Sequence, residues 1–309
     1  MDTSHKPLVV LLMGPTASGK TAFSLELAEA LQTEIISVDS ALVYREMDIG
    51  TAKPSLSERS AVTHHLIDII DPSESYSTGQ FRDQAILLID NLVAKNKVPI
   101  LTGGTMLYFN ALTEGLAQLP PANTDIRAEL EQQMQTKGKQ AMHKQLQIID
   151  PVSAARIHMN DPQRIQRALE VFQVTGRPLS SFFNQPHESP YRFLKIILSP
   201  VDRSILHKRI EDRFHAMIDQ GLIEEVIHLR ERGDLDLSMP SMRCVGYRQV
   251  WQYLEGETKF SEMLEHSIAA SRQLAKRQLT WLRKNNDAIC FDPAEKKLPV
   301  VLKSIQELL

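Results

Sequence analysis

Two rhythms of apolar and polar positions run along the chain. Leu8-Val9-Val10-Leu11-Leu12-Met13 is a continuous apolar run ending at Gly14, which predicts a short strand buried on both faces. A glycine-bearing loop follows, and Ala22 to Leu31 then carries helical period. Glu34 to Asp39 reads as a second strand. Strand, loop, helix and strand in quick succession make a βαβ unit, so the sheet is expected to be parallel. A further helix is predicted from near Gln80 to Lys97, with Ser77 or Thr78 as its cap. Phe81, Ala85, Leu88 and Leu92 share its apolar face, which leaves Asp90 on its surface. Val98 to Thr102 is the third strand, ending at Gly103-Gly104.

The pattern changes after residue 113. From Pro120-Pro121 to Gly176 the chain is Gln-rich and helical, with no convincing strand. Strand-like composition returns at Arg192 to Ser199. The expected organisation is an α/β core over 1–112 and 195–309, a P-loop NTPase-like parallel sheet flanked by helices. A helical domain over 113–194 is inserted into it.

Composition removes several classes. Among 309 residues, 42% are hydrophobic and 24% charged, which excludes a disordered or fibrous chain. No apolar run approaches the roughly 18 residues that span a bilayer. Met1 to Pro7 has neither a long apolar core nor a transit-like composition. Cys244 and Cys290 are the two cysteines, too few for a disulfide scaffold or a four-cysteine zinc site. A reduced, cytoplasmic protein is expected. The net charge of −3 hides an asymmetry, because residues 243–284 hold eight Lys/Arg against four Glu, leaving −7 elsewhere. That segment suits a polyanion, or is a solvated helix face.

Gly14-Pro15-Thr16-Ala17-Ser18-Gly19-Lys20-Thr21 satisfies G-x-x-x-x-G-K-[ST] at every fixed position, between a strand and a helix. Such a loop wraps a phosphate in backbone N–H groups, Lys20 adds a point charge, and the Thr21 hydroxyl can ligate Mg²⁺. ATP and other phosphate compounds are equally open on the motif alone. Asn96-Lys97 is followed by Val98-Pro99, so a guanine-specificity loop is not supported. Asp39 ends the second strand, where open α/β sheets gather ligands. It is either chemically active or, with Ser40, the cap of a following helix.

Several strings together resemble the tRNA dimethylallyltransferase (tRNA isopentenyltransferase) family of bacterial type. They are the phosphate loop, Asp39-Ser40-Ala41-Leu42-Val43-Tyr44, Gly103-Gly104-Thr105-Met106-Leu107-Tyr108, Asp161 to Glu170, Arg243-Cys244-Val245-Gly246-Tyr247-Arg248, and Ala275 to Arg283. The resemblance implies transfer of a dimethylallyl group from dimethylallyl diphosphate to N6 of adenosine 37 of a tRNA, with Mg²⁺ as cofactor and the protein working as a monomer. Asp39 would be the general base and Arg213 a diphosphate clamp, though on its own Arg213 reads as a surface helix arginine. Thr105 would line the channel for the target base, or simply cap the next helix.

The same resemblance implies tRNA contacts from Asp39, Ser40, Ala41, Leu42, Thr105 and Arg127. In the helical insertion it implies Gln163, Arg164, Ile165, Gln166 and Arg167. Further contacts would come from Arg243, Cys244, Val245, Gly246, Tyr247 and Arg248. The last set is Lys276, Arg277, Gln278, Leu279, Thr280, Trp281, Leu282 and Arg283. Arg127 has a salt-bridged surface residue as its alternative. Base chemistry of this kind requires an unstacked nucleotide.

The last long helix adds a reading of its own. At 100° per residue, Arg272, Lys276 and Arg283 fall within about 40° of one another. Leu264, Ile268, Ala275, Leu279 and Leu282 form a neighbouring apolar stripe. A basic ridge on a docked helix suits backbone phosphates, whereas Trp281 lies off both stripes. A P-loop kinase of a small metabolite or nucleoside, and a nucleotide-dependent RNA-binding switch, are the rival readings.

Overall fold

The computed structural model describes residues 6–183, 188–295 and 297–309. Met1 to His5 of the N-terminal stretch read above, and residues 184–187 of the helical insertion, lie outside them. The chain divides into two compact units, one of Met1–Thr113 with Ser189–Leu309, the other of Glu114–Glu188.

The first unit begins β1 (Leu8–Met13), α1 (Lys20–Ala30), β2 (Ile35–Val38), α2 (Leu56–Ala61), β3 (His64–His65), α3 (Thr78–Ala94), β4 (Ile100–Gly103) and α4 (Met106–Thr113). The second unit holds α5 (Thr124–Ile149), α6 (Pro151–Arg156), α7 (Pro162–Thr175) and a 3₁₀ turn at Leu179–Phe182. The first unit then resumes with β5 (Arg192–Leu198), α8 (Arg203–Asp219), α9 (Leu222–Glu231), α10 (Tyr247–Leu254), α11 (Phe260–Leu282), β6 (Ile289–Phe291) and α12 (Leu298–Leu308). Among the described residues the strands form one six-stranded sheet, ordered β3-β2-β4-β1-β5-β6. Every pairing in it is parallel.

The apolar run of β1 is fully buried because it is central and covered on both faces. Val9, Leu11 and Met13 join Phe81, Ala85, Ile89 and Leu92 of α3 and the apolar side of α4. Val10 and Leu12 point the other way, onto Phe23 and Leu27 of α1 and Val301 and Ile305 of α12. In α3, Ile89 takes the buried place expected of Leu88, which is only half-covered. Ser77 caps this helix with a reciprocal capping box to Gln80. Asp90 stays on its exposed side and accepts the Tyr191 hydroxyl at 2.7 Å.

The two edge strands, β3 and β6, escape the sequence pattern. Two histidines and an Ile-Cys-Phe triplet are too short to show a period, and only pairing to β2 and β5 makes them strands. The second unit packs Leu130, Met142, Leu146, Ile165, Ala168 and Leu169 into its own core. Gly138, at φ 80° and ψ 160°, breaks α5 into two helical runs, a conformation that a Cβ would oppose. The strand order, with the glycine loop at the end of β1, is the P-loop NTPase-like arrangement expected from the sequence.

Candidate active site

The loop between β1 and α1 is shaped by its neighbours as much as by its own glycines. A Cβ on Gly14 would lie 2.3 Å from the Leu198 carbonyl of β5, so only glycine passes there. Gly19 has φ 86° and turns the chain into α1. Ala17 is held at φ 62° while packing against Leu206, Ile210 and Ala275 of α8 and α11. Strain of this kind persists where surrounding structure imposes it. No side chain caps the N-terminus of α1. Its first amides are therefore left without an intrahelical or side-chain partner, an arrangement that with the helix dipole favours an anion there.

Two cations and one carboxylate share this end of the sheet. Lys20 Nζ donates to the Pro15 carbonyl at 2.7 Å. Burial and the nearby Arg213 push its pKa down to about 8, and Asp39 opposes the shift. Arg213, on α8, donates through Nη2 to the Thr16 hydroxyl. Burial also lowers its pKa, again against the pull of Asp39. Two half-buried cations beside one half-buried carboxylate make a site that is short of negative charge. Such a site suits an anion.

Asp39 closes β2. Its Oδ1 accepts the Ala41 amide at 2.8 Å, an Asx turn, and α2 does not begin until Leu56. Asp39 therefore caps a turn and not a helix. Burial raises its carboxyl above the ordinary aspartate range, while the Ala41 and Leu42 amides, Lys20 and Arg213 pull it back. Thr105 stands beside this turn. Its amide donates to Val38 O at 3.1 Å, and its hydroxyl accepts the Ser40 amide at 3.1 Å. The approach is close because a Cβ on Gly103 would lie 2.1 Å from Val38 O.

Cys244 lies within electrostatic range of Asp39. Its thiol is pushed up to about 12 by burial and that carboxylate, so it remains a thiol near neutrality. Tyr247, from the same string, is fully buried and donates to Glu225 at 2.5 Å. Glu225 in turn accepts the amides of Asp48, Ile49 and Gly50.

The residues expected to touch RNA divide by exposure. Ser40, Gln163, Arg164, Arg243, Lys276, Arg277, Thr280 and Arg283 are exposed, while Ala41, Leu42, Val245, Arg248 and Leu279 are half-buried. Five need correction as surface contacts. Ile165 and Leu282 are core side chains, Gly246 and Tyr247 are buried, and Gln278 is turned into the protein. Trp281 packs partly against the core, with Lys284 Nζ 5.0 Å from its ring centroid.

Arg127 takes the salt-bridged alternative. It meets Glu170 at 2.9 and 3.2 Å. Arg167 joins the same carboxylate at 2.7 Å and also reaches Pro120 O. Gln166 donates to the Arg127 carbonyl at 3.0 Å. The basic ridge is also split, since Arg272 is paired with Glu211 of α8 at 2.8 Å. Lys276 and Arg283 stay exposed. Ile268, Ala275 and Leu282 are buried as expected. Leu264 and Leu279 are only half-covered, and Met263, Ser267, Ser271 and Gln278 complete the seam. A polar residue on an apolar stripe was the signal for Gln278, and Glu225 left none that the sequence could show.

Among the described residues, no group of three or more His, Cys, Asp or Glu side chains could hold a metal ion by itself, and no helix is long and apolar enough to cross a membrane.

The comparisons with known proteins point one way. The model of the IPP transferase family matches residues 42–285. The tRNA dimethylallyltransferase of Methylococcus capsulatus is 56% identical over 290 residues, 93% of this chain and 93% of that one. That of Paraburkholderia xenovorans is 52% identical over 314 residues, covering 99% and 100%. Among solved structures, the tRNA isopentenylpyrophosphate transferase of Bacillus halodurans superposes with a TM-score of 0.73 at 40% identity, over 98% of this chain and 96% of that one. A eukaryotic dimethylallyltransferase solved while acting on tRNA gives 0.83 at 25% identity, over 97% and 78%.

Proposed function

The chain belongs to the IPP transferase family, and from that premise we propose how its own residues carry a prenyl group from a diphosphate to tRNA. The donor is dimethylallyl diphosphate and the acceptor is N6 of adenosine 37, beside the anticodon. The observation that carries this reading is the pairing of an uncapped helix N-terminus, Lys20 and Arg213 with the Asp39 carboxylate across one small site.

The amine lone pair attacks the allylic carbon, and the carbon–oxygen bond breaks with its electrons leaving on the diphosphate. The exocyclic amine is a weak nucleophile, so Asp39 accepts its proton as the new bond forms. Thr105, fixed beside the Asp39 turn, supplies a hydroxyl that can orient the amine. Charge grows on the leaving diphosphate, where the loop amides, Lys20, Arg213 and the hydroxyls of Thr16 and Thr21 are preorganised to receive it. Because Arg213 already donates to Thr16, it needs no large rearrangement to reach an adjacent phosphate.

Magnesium fits this donor set as an ion carried largely by substrate. Mg²⁺ keeps several waters and takes phosphate oxygens in preference to an all-protein cage, and the exposed Thr21 offers it one hydroxyl. When bound, it would neutralise charge on the diphosphate.

On the first unit the exposed Arg243, Lys276, Arg277 and Arg283 suit tRNA phosphates, and on the helical unit the exposed Gln163 suits a base edge. The protein is read as working as a monomer. A cytoplasmic location accords with a tRNA substrate. Mass spectrometry of an anticodon stem-loop after incubation with protein, dimethylallyl diphosphate and Mg²⁺ tests the reading. A gain of one dimethylallyl group in place of one hydrogen, mapped to adenosine 37, is expected. An unchanged RNA mass would refute it.

A further inference from the structure

The side-chain amide of Gln278 reaches from α11 into the active site and makes two hydrogen bonds at once. Its Oε1 accepts the backbone N–H of Thr16, in the phosphate loop, at 2.9 Å. Its Nε2 donates to the carbonyl of Gly104, in the turn after β4, at 2.9 Å. Both partners are backbone groups far away in the chain, and Gln278 is only 8% exposed. Gly104 is shaped to this contact, because a Cβ there would sit 2.4 Å from Nε2.

What the two partners carry gives the bridge its meaning. Thr16 bears the hydroxyl that Arg213 engages on the diphosphate side. Gly104 directly precedes Thr105, whose hydroxyl holds the Ser40 amide next to Asp39 on the acceptor side. We propose that Gln278 is a positioning residue for the transfer, locking the donor's phosphate loop to the turn that places the acceptor amine. Only a side chain with one donor and one acceptor at its tip satisfies both backbone groups together. Its place on α11 adds stiffness, since Ala275 and Leu282 of the same face are packed in the core.

This inference rests on the transferase reading and deepens it. Attack on the allylic carbon needs nucleophile and leaving group aligned, and a displacement of about 1 Å can cost on the order of 100-fold in rate. The bridge therefore acts on the chemical step and leaves RNA affinity alone.

Single-turnover kinetics at saturating dimethylallyl diphosphate and stem-loop RNA test it. Gln278→Leu keeps the bulk and removes both hydrogen bonds; its rate should fall by roughly 10- to 100-fold while RNA affinity stays within about twofold. Gln278→Glu, which can accept from Thr16 but not donate as a carboxylate, should fall between and serves as the measurable variant if the leucine protein does not fold. A cycle with Gly104 supplies the second test. Gly104→Ala alone should slow transfer by displacing Gln278, whereas Gly104→Ala with Gln278→Ala should be no slower than Gln278→Ala alone. Weakened RNA binding with a normal saturated rate would overturn the proposal and return Gln278 to the RNA surface, and additive effects in the cycle would overturn it too. A wild-type protein that leaves the RNA mass unchanged would remove the transferase reading itself, a failure visible before any variant is made.

Discussion

Raising the pH from about 7 to about 9 should weaken dimethylallyl diphosphate binding roughly tenfold, through a single side chain. Lys20 is held at about 8 in the free protein, mainly by burial and then by Arg213. A bound diphosphate places negative charge where water was excluded, which returns the ammonium toward its ordinary range near 10.4. Below the free-protein value both states are charged and binding is insensitive to pH. Above it, binding must draw a proton from solution. One pH unit above 8, only about a tenth of free molecules carry the charge, so apparent affinity drops about tenfold and each binding event takes up close to one proton.

Cys244 and Tyr44, both pushed up to about 12, stay protonated across this window and add no slope. Isothermal titration calorimetry at fixed ionic strength, repeated in buffers of different ionisation heat, measures affinity and proton uptake together. Lys20→Met should bind more weakly throughout and lose the slope. A wild-type affinity flat over this range, or an equal slope in Lys20→Met, would refute the assignment of Lys20 to the diphosphate.

Asp39→Asn should lower the single-turnover rate by about 10²–10⁴ and leave RNA affinity nearly unchanged. Because burial raises the Asp39 carboxyl, the wild-type rate should fall on acidification through a pKa above the ordinary aspartate range, and rapid-quench kinetics against pH checks this. Gln substitution at Lys276 or Arg283 should each flatten the salt dependence of RNA binding by somewhat under one log unit per log unit, while Arg272→Gln should change it little, because Arg272 is paired with Glu211. Salt titrations with the three single variants decide between them. Glu170→Ala should destabilise the helical unit by about 1–3 kcal/mol in urea, since the Asn123 amide and the partly covered Arg167 lose their shared acceptor while the exposed Arg127 turns to water.

The phosphate loop was legible because its chemistry is local. Six apolar residues, two spaced glycines, a lysine and a threonine fix a strand, a turn and a helix start within one short stretch of chain. The same holds for the β1-α1-β2 unit, for the Ser77 cap of α3 and for the helical character of the inserted segment. Resemblance across six motifs pointed to the family. What those motifs do physically depended on contacts that no local pattern encodes.

Arg213 meets Thr16 across 197 positions, and Gln278 meets it across 262. Nothing in the helical period of α8 or α11 says which neighbour lies opposite. Helical phase put Arg272 on a ridge with Lys276 and Arg283, yet α8 brought Glu211 to one of the three and not to the others. Arg127 likewise has an exposed side chain, but its guanidinium is claimed by Glu170, which folding of the helical unit buries completely. Periodicity fixes the direction in which a side chain leaves its helix. Packing against another element fixes what it finds there, and a buried polar group must find a partner. For Gln278 that partner was the phosphate loop, a fact written in the tertiary structure alone.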